Sequence, residues 1–435
     1  MSSEAAGLRP AERVRTPQRS YRGRRARQTR NRGIALLVVA TLTFLGWALP
    51  VLEEHLPHRG LGFDASTAQA TLAAIAGSMI TLGGFVITVI TLVIQTVQSM
   101  SHRLVGALGH LDHYLAIFGL LIGTALYALV ALSRISGHTV PRLTVTVALG
   151  LVLIATVSLM FLLSSLRHAV TGGGLSRAVG DRLRTVIDRS YPAADTAPPP
   201  QALPPEEGVE VTVRHEGSPG VIRSLDEPRL VHLAAAASAQ IEMALAVGEF
   251  AGSGVPLARI TLPAAAAAEQ ARLAGKVAHC VRYGPNPTVE QDTSHGLRLL
   301  ADISIRALSP AVNDPTTAVQ ALDQIEDVLL RLADRPLGPA WLLDGAGVPR
   351  VAYPAPGWAD FVGLSLDETL LYGAGNPQVV RRLYTLLDRL SAAVPEHRRG
   401  PVEERRAALR RMADAGLPDA LLRSAAGQPG AEPRP

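Results

Sequence analysis

The sequence contains very little of three residue types that most folded proteins use freely. Among its 435 residues there is one cysteine, Cys280, one lysine, Lys276, and only 4% aromatic residues. A single cysteine excludes a disulfide framework within the chain and any cysteine-based zinc or iron–sulfur site. Since alanine, glycine and proline are abundant and almost every basic residue is arginine, we attribute the scarcity of lysine to GC-rich coding pressure.

Charge is also scarce and unevenly distributed. The formal net charge is +5, but residues 1–33 hold ten arginines against Glu4 and Glu12, which is +8, so the rest of the chain is slightly acidic. The basic pI therefore describes a tail and does not indicate a nucleic-acid-binding domain. We predict that residues 1–33 form a basic, disordered cytoplasmic tail that binds anionic lipids, with a tail that only sets topology as the alternative.

Long charge-free runs occur in one part of the chain. Each is close to the length of about 20 residues that a helix needs to cross a hydrocarbon core of about 30 Å. The four runs are residues 34–52, 70–94 (within a charge-free stretch from 65 to 101), 114–132 and 143–166. They predict a four-helix transmembrane domain over residues 34–166 and exclude a wholly soluble protein. A secretory signal peptide is disfavoured, because the basic segment before the first run is too long and no cleavage pattern follows.

The arginines flanking these runs predict the topology. The segment before the first run carries +8, the loop between the first two runs is net −2, and four arginines follow the fourth run: Arg167, Arg177, Arg182 and Arg184. The positive-inside rule then places both termini in the cytoplasm of a multi-pass cytoplasmic-membrane protein. Arg134 and Arg142, in the third loop, oppose this orientation weakly.

The second run carries a stripe of small and polar residues at alternating spacings of four and three: Gly77, Thr81, Gly84, Thr88, Thr91 and Gln95. Lipid offers such groups no partners, so the stripe should face other helices or water. One interpretation is close packing between helices, and the other is a pore around the axis of a homo-oligomer. The four runs contain no Asp, Glu, Lys or Arg, which disfavours a proton relay or an ion-coupled transporter.

The remainder of the chain is polar enough for a soluble domain. We predict a linker at 167–205, a small β-rich unit at 206–262, a helical cytoplasmic domain at 263–415 and a disordered tail at 416–435. Val209, Val211 and Val213 alternate with polar residues, which is typical of a half-buried strand. Residues 248–257 resemble the turn of barrel-sandwich hybrid domains, although the lysine of the biotinyl and lipoyl carriers is absent. The predicted fold class is therefore a mainly α membrane protein: a four-helix transmembrane region, then an α+β cytoplasmic domain with a small β-barrel-like unit and a helical unit.

Two helices with a break between them are predicted after residue 287. A capping box at 288–291 would open the first helix, which should run to about Ala307. Its polar positions fall on one face, which is either solvated or a buried polar network at an interface: Gln291, His295, Arg298, Asp302 and Arg306. In the break, Pro310 ends the first helix, Asn313 or Asp314 caps the second, and Pro315 fits its first turn.

The residues around this break carry a family resemblance. Together with Gln291-Asp292 and residues 300–303, the segment 306–318 closely resembles the signature of the predicted membrane proteins grouped as domain of unknown function 2254. Residues 77–95 agree, and the likeness spans about residues 34–415, with a departure at 284–288 where an Arg-Thr pair is expected. The resemblance implies this architecture and does not indicate a function. Its residues predict a signature site in the cytoplasmic domain: Gln291, Asp292, Asp302, Arg306, Ser309, Pro310, Asn313, Asp314, Pro315 and Thr317.

No residue pattern has the spacing of a catalytic, cofactor or metal site. Residues 83–84 and 172–174 lack the Lys-Ser/Thr pair of a phosphate-binding loop, and His110 and His113 have no convincing third ligand. We therefore predict no enzyme activity, no cofactor and no nucleic-acid partner. The leading hypothesis is an oligomeric channel-like or conduit protein with a cytoplasmic regulatory domain. The alternative is a membrane-anchored sensor or scaffold whose cytoplasmic domain binds a ligand or a partner protein through residues 313–315.

Overall fold

A computed structural model of the chain describes residues 18–53, 63–100, 111–135, 142–170, 173–191, 208–263, 269–289, 292–417, 419, 420 and 422. The chain divides into two compact units. We call Arg22–Leu175 the membrane unit and the other, which contains Ser176–Pro435, the polar unit. Each is described by itself.

Four long helices make up the described part of the membrane unit: α1 (Gln18–Glu53), α2 (Ala65–Met100), α3 (Leu111–Leu132) and α4 (Arg142–Val170). Each contains a stretch long and apolar enough to cross a membrane: Ala35–Glu53, Ala65–Gln95, Leu115–Leu132 and Arg142–Ser164. The four predicted spans are therefore confirmed. Helix α1 begins at Gln18, so residues 18–33 are helical where we predicted disorder. Residues 1–17, and the arginine side chains up to residue 32, lie outside the described part of the chain.

Glycines let α1 and α3 approach each other closely. A Cβ atom added to Gly46 would lie 2.7 Å from the carbonyl oxygen of Tyr127, and one added to Gly119 would lie 3.1 Å from that of Ala35. Gly123, four residues after Gly119, faces Leu42 in the same way, at 2.8 Å from its Cδ1. This is the small-xxx-small packing of membrane helices. Our sequence analysis missed it, because it considered only the second run.

At one end of the membrane unit, the carboxylate of Glu53 links α1 to α4 through hydrogen bonds. Glu53, the last residue of α1, accepts hydrogen bonds from the backbone amides of Leu143 (2.6 Å) and Thr144 (3.1 Å) at the start of α4. The Thr144 hydroxyl donates to the same carboxylate, and the buried Tyr127 hydroxyl of α3 donates to the Thr144 carbonyl at 2.9 Å. A negative charge at a helix N-terminus is favourable, since the amides of the first turn have no partner inside the helix.

Arg134, which opposed the predicted topology, lies next to an aromatic side chain at this same end. Its guanidinium carbon is 5.3 Å from the centre of the Trp47 ring, which makes a cation–π contact. Phe44 packs beside Trp47, with ring centres 5.9 Å apart. Arginine and tryptophan side chains combine an apolar body with a polar tip, and they are common where hydrocarbon meets water.

The strands of the polar unit form two open sheets. They are β1 (Gly208–Arg214), β2 (Gly220–Leu225), β3 (Gln240–Met243), β4 (Phe250–Ala251), β5 (Pro256–Pro263), β6 (Val281–Gly284), β7 (Ala340–Leu343) and β8 (Pro349–Tyr353). The larger sheet has the order β1-β5-β3-β8-β7, and its β3–β8 pair is parallel. The smaller has the order β4-β2-β6.

The predicted β-barrel-like unit is not confirmed, because the described strands close into no barrel. The sheet is instead extended by β7 and β8, which come from the stretch 263–415 that we assigned to the helical domain; within it we predicted a loop and a short strand at 338–354. Strand β8 pairs with β3 through Val351 and Ile241, both fully buried. A hairpin from late in the chain thus occupies the edge that barrel closure would have needed.

The helices of the polar unit are α5 (Gly174–Ser190), α6 (Glu227–Ala236), α7 (Gln270–Ala278), α8 (Thr293–Ala307), α9 (Pro315–Leu332), α10 (Trp358–Gly373), α11 (Pro377–Ala393) and α12 (Arg399–Gly416). Helices α6 and α7 pack on the larger sheet. Helix α8 packs on α9 and α10, while α11 packs on α9 and α12. Helix α5 lies within the stretch 167–205 that we predicted to be a linker.

The start of α8 differs from the prediction. The helix begins at Thr293, and its N-cap is Asp292, whose Oδ1 accepts a hydrogen bond from the His295 amide at 2.9 Å. The predicted capping box at 288–291 is therefore wrong, although the helix ends at Ala307 as expected. Asp and Thr are both good N-caps, so the local sequence allows a helix capped by Thr288 or by Asp292. Burial around Asp292 decides between the two.

Candidate functional site

The first candidate site is the small and polar side of α2, which we call the α2 face: Gly77, Thr81, Gly84, Thr88, Thr91 and Gln95. All six residues are exposed in the single chain. Successive residues of a helix are about 100° apart, so this face lies opposite Leu72, Met79, Val86 and Val93, which are all buried. Helix α2 thus packs its apolar side against α3 and α4 and directs its polar side outward.

The two glycines of the α2 face are open. A Cβ atom added to Gly77 or Gly84 would meet nothing within 4 Å, whereas one added to Gly46 would collide with the backbone of α3. No described part of the chain therefore approaches the α2 face. The six residues of the predicted stripe share one exposed side of α2, and within one chain they pack against no other described helix.

The hydroxyl groups of the α2 face are bonded within their own helix. Thr81 donates to the carbonyl of Gly77 at 2.9 Å, Thr88 to that of Gly84 at 3.0 Å, and Thr91 to that of Ile87 at 2.9 Å. This uses up each hydroxyl hydrogen and leaves each oxygen able to accept a further hydrogen bond. The face consequently presents acceptor oxygens and one amide, Gln95, without any charge.

The second candidate is the signature at the α8–α9 break, which forms a tight loop. Asp314 caps α9, as one of our two alternatives predicted: its carboxylate accepts from the Thr317 amide at 3.0 Å and from the Thr317 hydroxyl. These bonds from Thr317 hold the pKa of Asp314 below its usual value. Ser309 donates to the Arg306 carbonyl at 2.7 Å, and Asn313 adopts a left-handed backbone with φ of +47°.

This loop geometry gives the signature residues a structural role. Asn is among the few residues that tolerate a left-handed backbone, and Pro315 occupies the first turn of α9, where an amide would have no partner. Pro310, earlier in the same loop, is exposed. The Asp314 carboxylate is bonded to Thr317 within the loop. Binding of a ligand or partner through residues 313–315 stays a prediction.

The polar positions of α8 form a network with α10. Arg298 lies 3.2 Å from Asp302 and 2.5 Å from Glu368 of α10. These side chains are half-buried, so the interface interpretation describes them better than the solvated face, whereas Arg306 is exposed. This arrangement joins two helices through ion pairs.

The third candidate consists of half-buried and buried ionisable side chains at the starts of α8 and α6. Burial raises the pKa of Asp292 to about 6, and that of Tyr191, whose hydroxyl bonds Thr293, to about 12. Burial and the neighbouring Asp226 raise the pKa of Glu227, at the start of α6, to about 7. Asp292 also overlies Gly248, whose φ of +98° and missing side chain make room for the carboxylate. Sequence reasoning found Asp292 alone, because the others come from distant segments.

Comparison with known proteins decides the family. The family described as "Predicted membrane protein (DUF2254)" matches residues 33–389, which includes most of both units. The chain belongs to the DUF2254 family. It is 28% identical over 399 residues to the uncharacterized protein Mb1321c of Mycobacterium bovis and to the uncharacterized protein Rv1290c of Mycobacterium tuberculosis. Each alignment covers 86% of this chain and 74% of the relative. No solved structure matches the chain.

The DUF2254 signature does not converge on one site in this structure. Helix α8 has 15 residues and is about 22 Å long. Asp292 lies at its start, Asp302 in its middle, and the Ser309–Thr317 segment beyond its end, while Gln291 lies outside the described residues. The signature therefore marks the two ends of one helix and its contact with α10.

Metal binding finds no support in the part of the chain that the structure describes. No group of three His, Cys, Asp or Glu side chains there is placed to hold an ion. The side chains of His110 and His113 lie outside that part. Among the three candidates, only the α2 face consists of polar groups that no other described element of the DUF2254 chain covers.

Proposed function

We propose that this DUF2254-family protein assembles as a homo-oligomer in the cytoplasmic membrane and that the α2 faces of its copies surround a channel-like conduit. The observation that carries the proposal is the open α2 face: Gly77 and Gly84 have nothing within 4 Å, and the three threonines beside them are exposed. The role is non-enzymatic. The polar unit and both termini lie in the cytoplasm, with the N-terminal arginines on anionic lipid, as the arginine distribution favours.

A second copy is the occupant that the α2 face fits best. Lipid hydrocarbon does not need the space that Gly77 and Gly84 leave open, and it offers the Gln95 amide no hydrogen-bond partner. Another helix with small residues approaches closely and also bonds across the interface. The α1–α3 contact at Gly46 and Gly119 is the same kind of packing, already formed inside the chain.

The chemistry of the α2 face favours a conduit over an ion-coupled transporter. Its oxygens accept hydrogen bonds from water or replace part of the hydration shell of a solute. The spans carry no intramembrane charge apart from Glu53 and Arg142 at their ends, so no chain of titratable groups is available for proton coupling.

Cysteine cross-linking in native membranes tests the assembly. Cys280 is buried and is replaced by serine to give a background without thiols. The Thr88→Cys protein should form disulfide-linked dimers on mild oxidation, because its new thiol faces the second copy. The matched control is Phe161→Cys on α4, which is 72% exposed and is not part of the α2 face. Equal cross-linking at both positions, or none at either, rules out assembly through the α2 face.

Solute flux in liposomes containing the purified protein tests the conduit. Thr88→Trp should reduce flux at least tenfold, because an indole fills the space between the α2 faces. Phe161→Trp, at an exposed apolar position of α4 that is not part of the α2 face, should leave flux unchanged. A different result is that the Thr88→Cys protein cross-links while Thr88→Trp does not change the flux. That result would support a packing interface between α2 faces and reject the conduit.

A further inference from the structure

The exposed side of α2 carries large apolar side chains next to very small residues. Phe85 is 49% exposed and Leu92 is 61% exposed, so both side chains project from the helix. A Cβ atom added to Gly84 would meet nothing within 4 Å, whereas one added to the adjacent Gly83 would lie 3.1 Å from Ile122 of α3. Gly84 is therefore an open notch directly beside a projecting aromatic side chain.

Helical geometry places the notch and the projecting ring on opposite sides of a threonine. Successive residues turn by about 100°, so Phe85 lies about 40° to one side of Thr81 and Gly84 lies about 60° to the other. Phe85 and Gly84 also differ by only about 1.5 Å along the helix axis. A large and a small residue thus flank Thr81 at almost the same height.

The same arrangement recurs two turns later. Leu92 and Thr91 follow Thr88 by four and by three residues, so they lie on its two sides in the same order. We call the side with Phe85 and Leu92 the large flank of α2, and the side with Gly84 and Thr91 the small flank. The repetition at two levels makes each flank a continuous surface about 10 Å long.

The small flank accepts an apolar neighbour without leaving a hydrogen-bond donor unpaired. Gly84 has no side chain, and the hydroxyl of Thr91 already donates to the carbonyl of Ile87 at 2.9 Å. Neither flank carries a charge. Helices in a membrane associate through van der Waals fit, since hydrocarbon is as apolar as a leucine side chain. A projecting side chain beside an open notch provides such a fit only when the two belong to different helices.

A second copy of α2 supplies the matching surface. Copies related by a rotation axis that runs across the membrane keep equal residues at equal heights. The large flank of one copy then meets the small flank of the next, with Phe85 at the notch of Gly84 and Leu92 beside the shorter Thr91. The two flanks of a single helix are therefore complementary to each other in size, level by level.

We propose that neighbouring copies pack head to tail, with the large flank of one α2 against the small flank of the next. This inference rests on the proposed function and sharpens it, because it states which surface of the partner copy each copy contacts. A contact between two different surfaces continues from copy to copy and closes into a ring. Thr81, Thr88 and Gln95 then face the ring axis. A two-fold contact would instead press the threonines of two helices together and leave no conduit.

Two cysteines in one full-length chain test this packing in native membranes. In the Cys280→Ser background, the chain with both Gly84→Cys and Phe85→Cys has a thiol on each flank. The two thiols of one chain point about 100° apart, so they do not face each other. Mild oxidation should link each copy to two neighbours and give a ladder of covalent dimers, trimers and larger species on a gel without reducing agent.

The single-cysteine chains are the matched controls. Identical flank positions on helices packed about 8–10 Å apart do not approach to the roughly 3.5–4.5 Å between Cβ atoms that a disulfide needs. Thr88, which faces the axis, comes closer to its copies than the flanks do. Gly84→Cys coexpressed with Phe85→Cys should therefore cross-link at least about fivefold more than either chain alone. Gly84→Cys coexpressed with Phe161→Cys, at an exposed position of α4, should show no such increase.

An exchange of size between the flanks tests the fit with a different readout. Gly84→Leu fills the notch and Phe85→Ala removes the projecting ring, so each alone should weaken cross-linking through Thr88→Cys. The double variant Gly84→Leu/Phe85→Ala moves bulk from one flank to the other and should recover a large part of the cross-linking. Gly84→Leu combined with Phe161→Ala should recover none, and equal recovery in the two double variants contradicts a contact between the flanks.

The covalent products and the flux separate this packing from the conduit. Products that stop at the dimer indicate a two-fold contact and overturn the proposal, as does the absence of any product or single-cysteine chains that match the coexpressed pair. A ladder from a protein without flux supports the ring and rejects the conduit. Flux that Thr88→Trp reduces, without a ladder, supports the conduit and rejects head-to-tail packing.

Discussion

The two units satisfy their polar groups in different ways. In the membrane unit, the hydroxyls of Thr81, Thr88 and Thr91 bond carbonyls of their own helix, and the α2 face touches no other described element. In the polar unit, charged side chains bond between helices, as Arg382 of α11 does with Asp323 and Glu326 of α9. These charged groups of the polar unit are thus bonded between its helices, whereas the hydroxyls of the α2 face are bonded within one helix and exposed in the single chain.

The largest effect that would test this contrast is expected at the buried ion pair of the polar unit. Arg382 and Glu326 are almost fully buried, so Arg382→Ala leaves the Glu326 carboxylate in the interior with the exposed Arg389 as its remaining ion-pair partner. We expect a loss of up to about 3–5 kcal/mol of unfolding free energy, the value for a buried charge that has lost its partner. Thermal unfolding of the polar unit measures it, with Arg406→Ala, at an exposed pair, as the control. Equal losses in the two proteins would show that burial of the pair is unimportant.

Asp292 should make the stability of the polar unit depend on pH. Its pKa is raised from 3.8 to about 6, so between these values the folded state holds a proton that the unfolded state has released. Stability therefore falls as pH rises through this window, by about 3 kcal/mol in total. Asn also caps helices well. The Asp292→Asn protein should be more stable than wild type above pH 6, and the two should converge near pH 4.

Unfolding followed from pH 4 to 8 measures this difference. Glu227 also titrates near pH 7, but it is present in both proteins and cancels in the comparison. A constant difference across the whole range would show that Asp292 does not carry the dependence.

Leucine substitutions at two glycines, one packed against α3 and one without neighbours, compare two faces of the membrane unit. Gly46→Leu forces a side chain into the α3 backbone and should destabilise the single chain by about 1–3 kcal/mol or more. Gly84→Leu meets nothing and should leave the single chain unaffected, but it should weaken cross-linking through Thr88→Cys. Detergent unfolding and cross-linking yield measure the two effects. Similar destabilisation by both substitutions would contradict an open α2 face.

The smallest effect is expected at Glu53. Glu53→Ala removes the acceptor for the first turn of α4 and should cost about 0.5–2 kcal/mol, as loss of a helix cap does. Glu53→Gln keeps an acceptor oxygen and should recover part of the loss. Unfolding of the purified protein in detergent measures both, and an equal loss in the two variants would show that the cap does not depend on a hydrogen-bond acceptor.

Much of the fold followed from local chemistry. The four spans were predictable because a helix in lipid needs about 20 apolar residues, and the cap at Asp314 with Pro315 behind it is specified within a few residues. The start of α8 was not predictable, since Thr288 and Asp292 are both acceptable caps and a distant loop at Gly248 buries one of them. The docking of α5 and the pairing of β8 with β3 depend on contacts between segments far apart in the sequence.

The candidate site was half predictable for the same reason. A stripe at helical spacing identified the α2 face, but its openness depends on which side of α2 packs against α3. Asp292 interacts with Tyr191, which lies about 100 residues earlier in the chain, and no pattern in the sequence joins them. The Ser309–Thr317 segment stood out because its loop geometry demands particular residues.

The length of α2 has a consequence for the lipid around the protein. Its apolar span, Ala65–Gln95, has 31 residues and rises about 46 Å, well beyond the roughly 30 Å of a typical hydrocarbon core. The part from Gly77 to Gln95 alone rises about 27 Å, so the earlier turns must tilt or stand among the headgroups. Bilayer thickness then decides how much of the α2 face is immersed, and we expect the protein to respond to the acyl-chain length of its membrane.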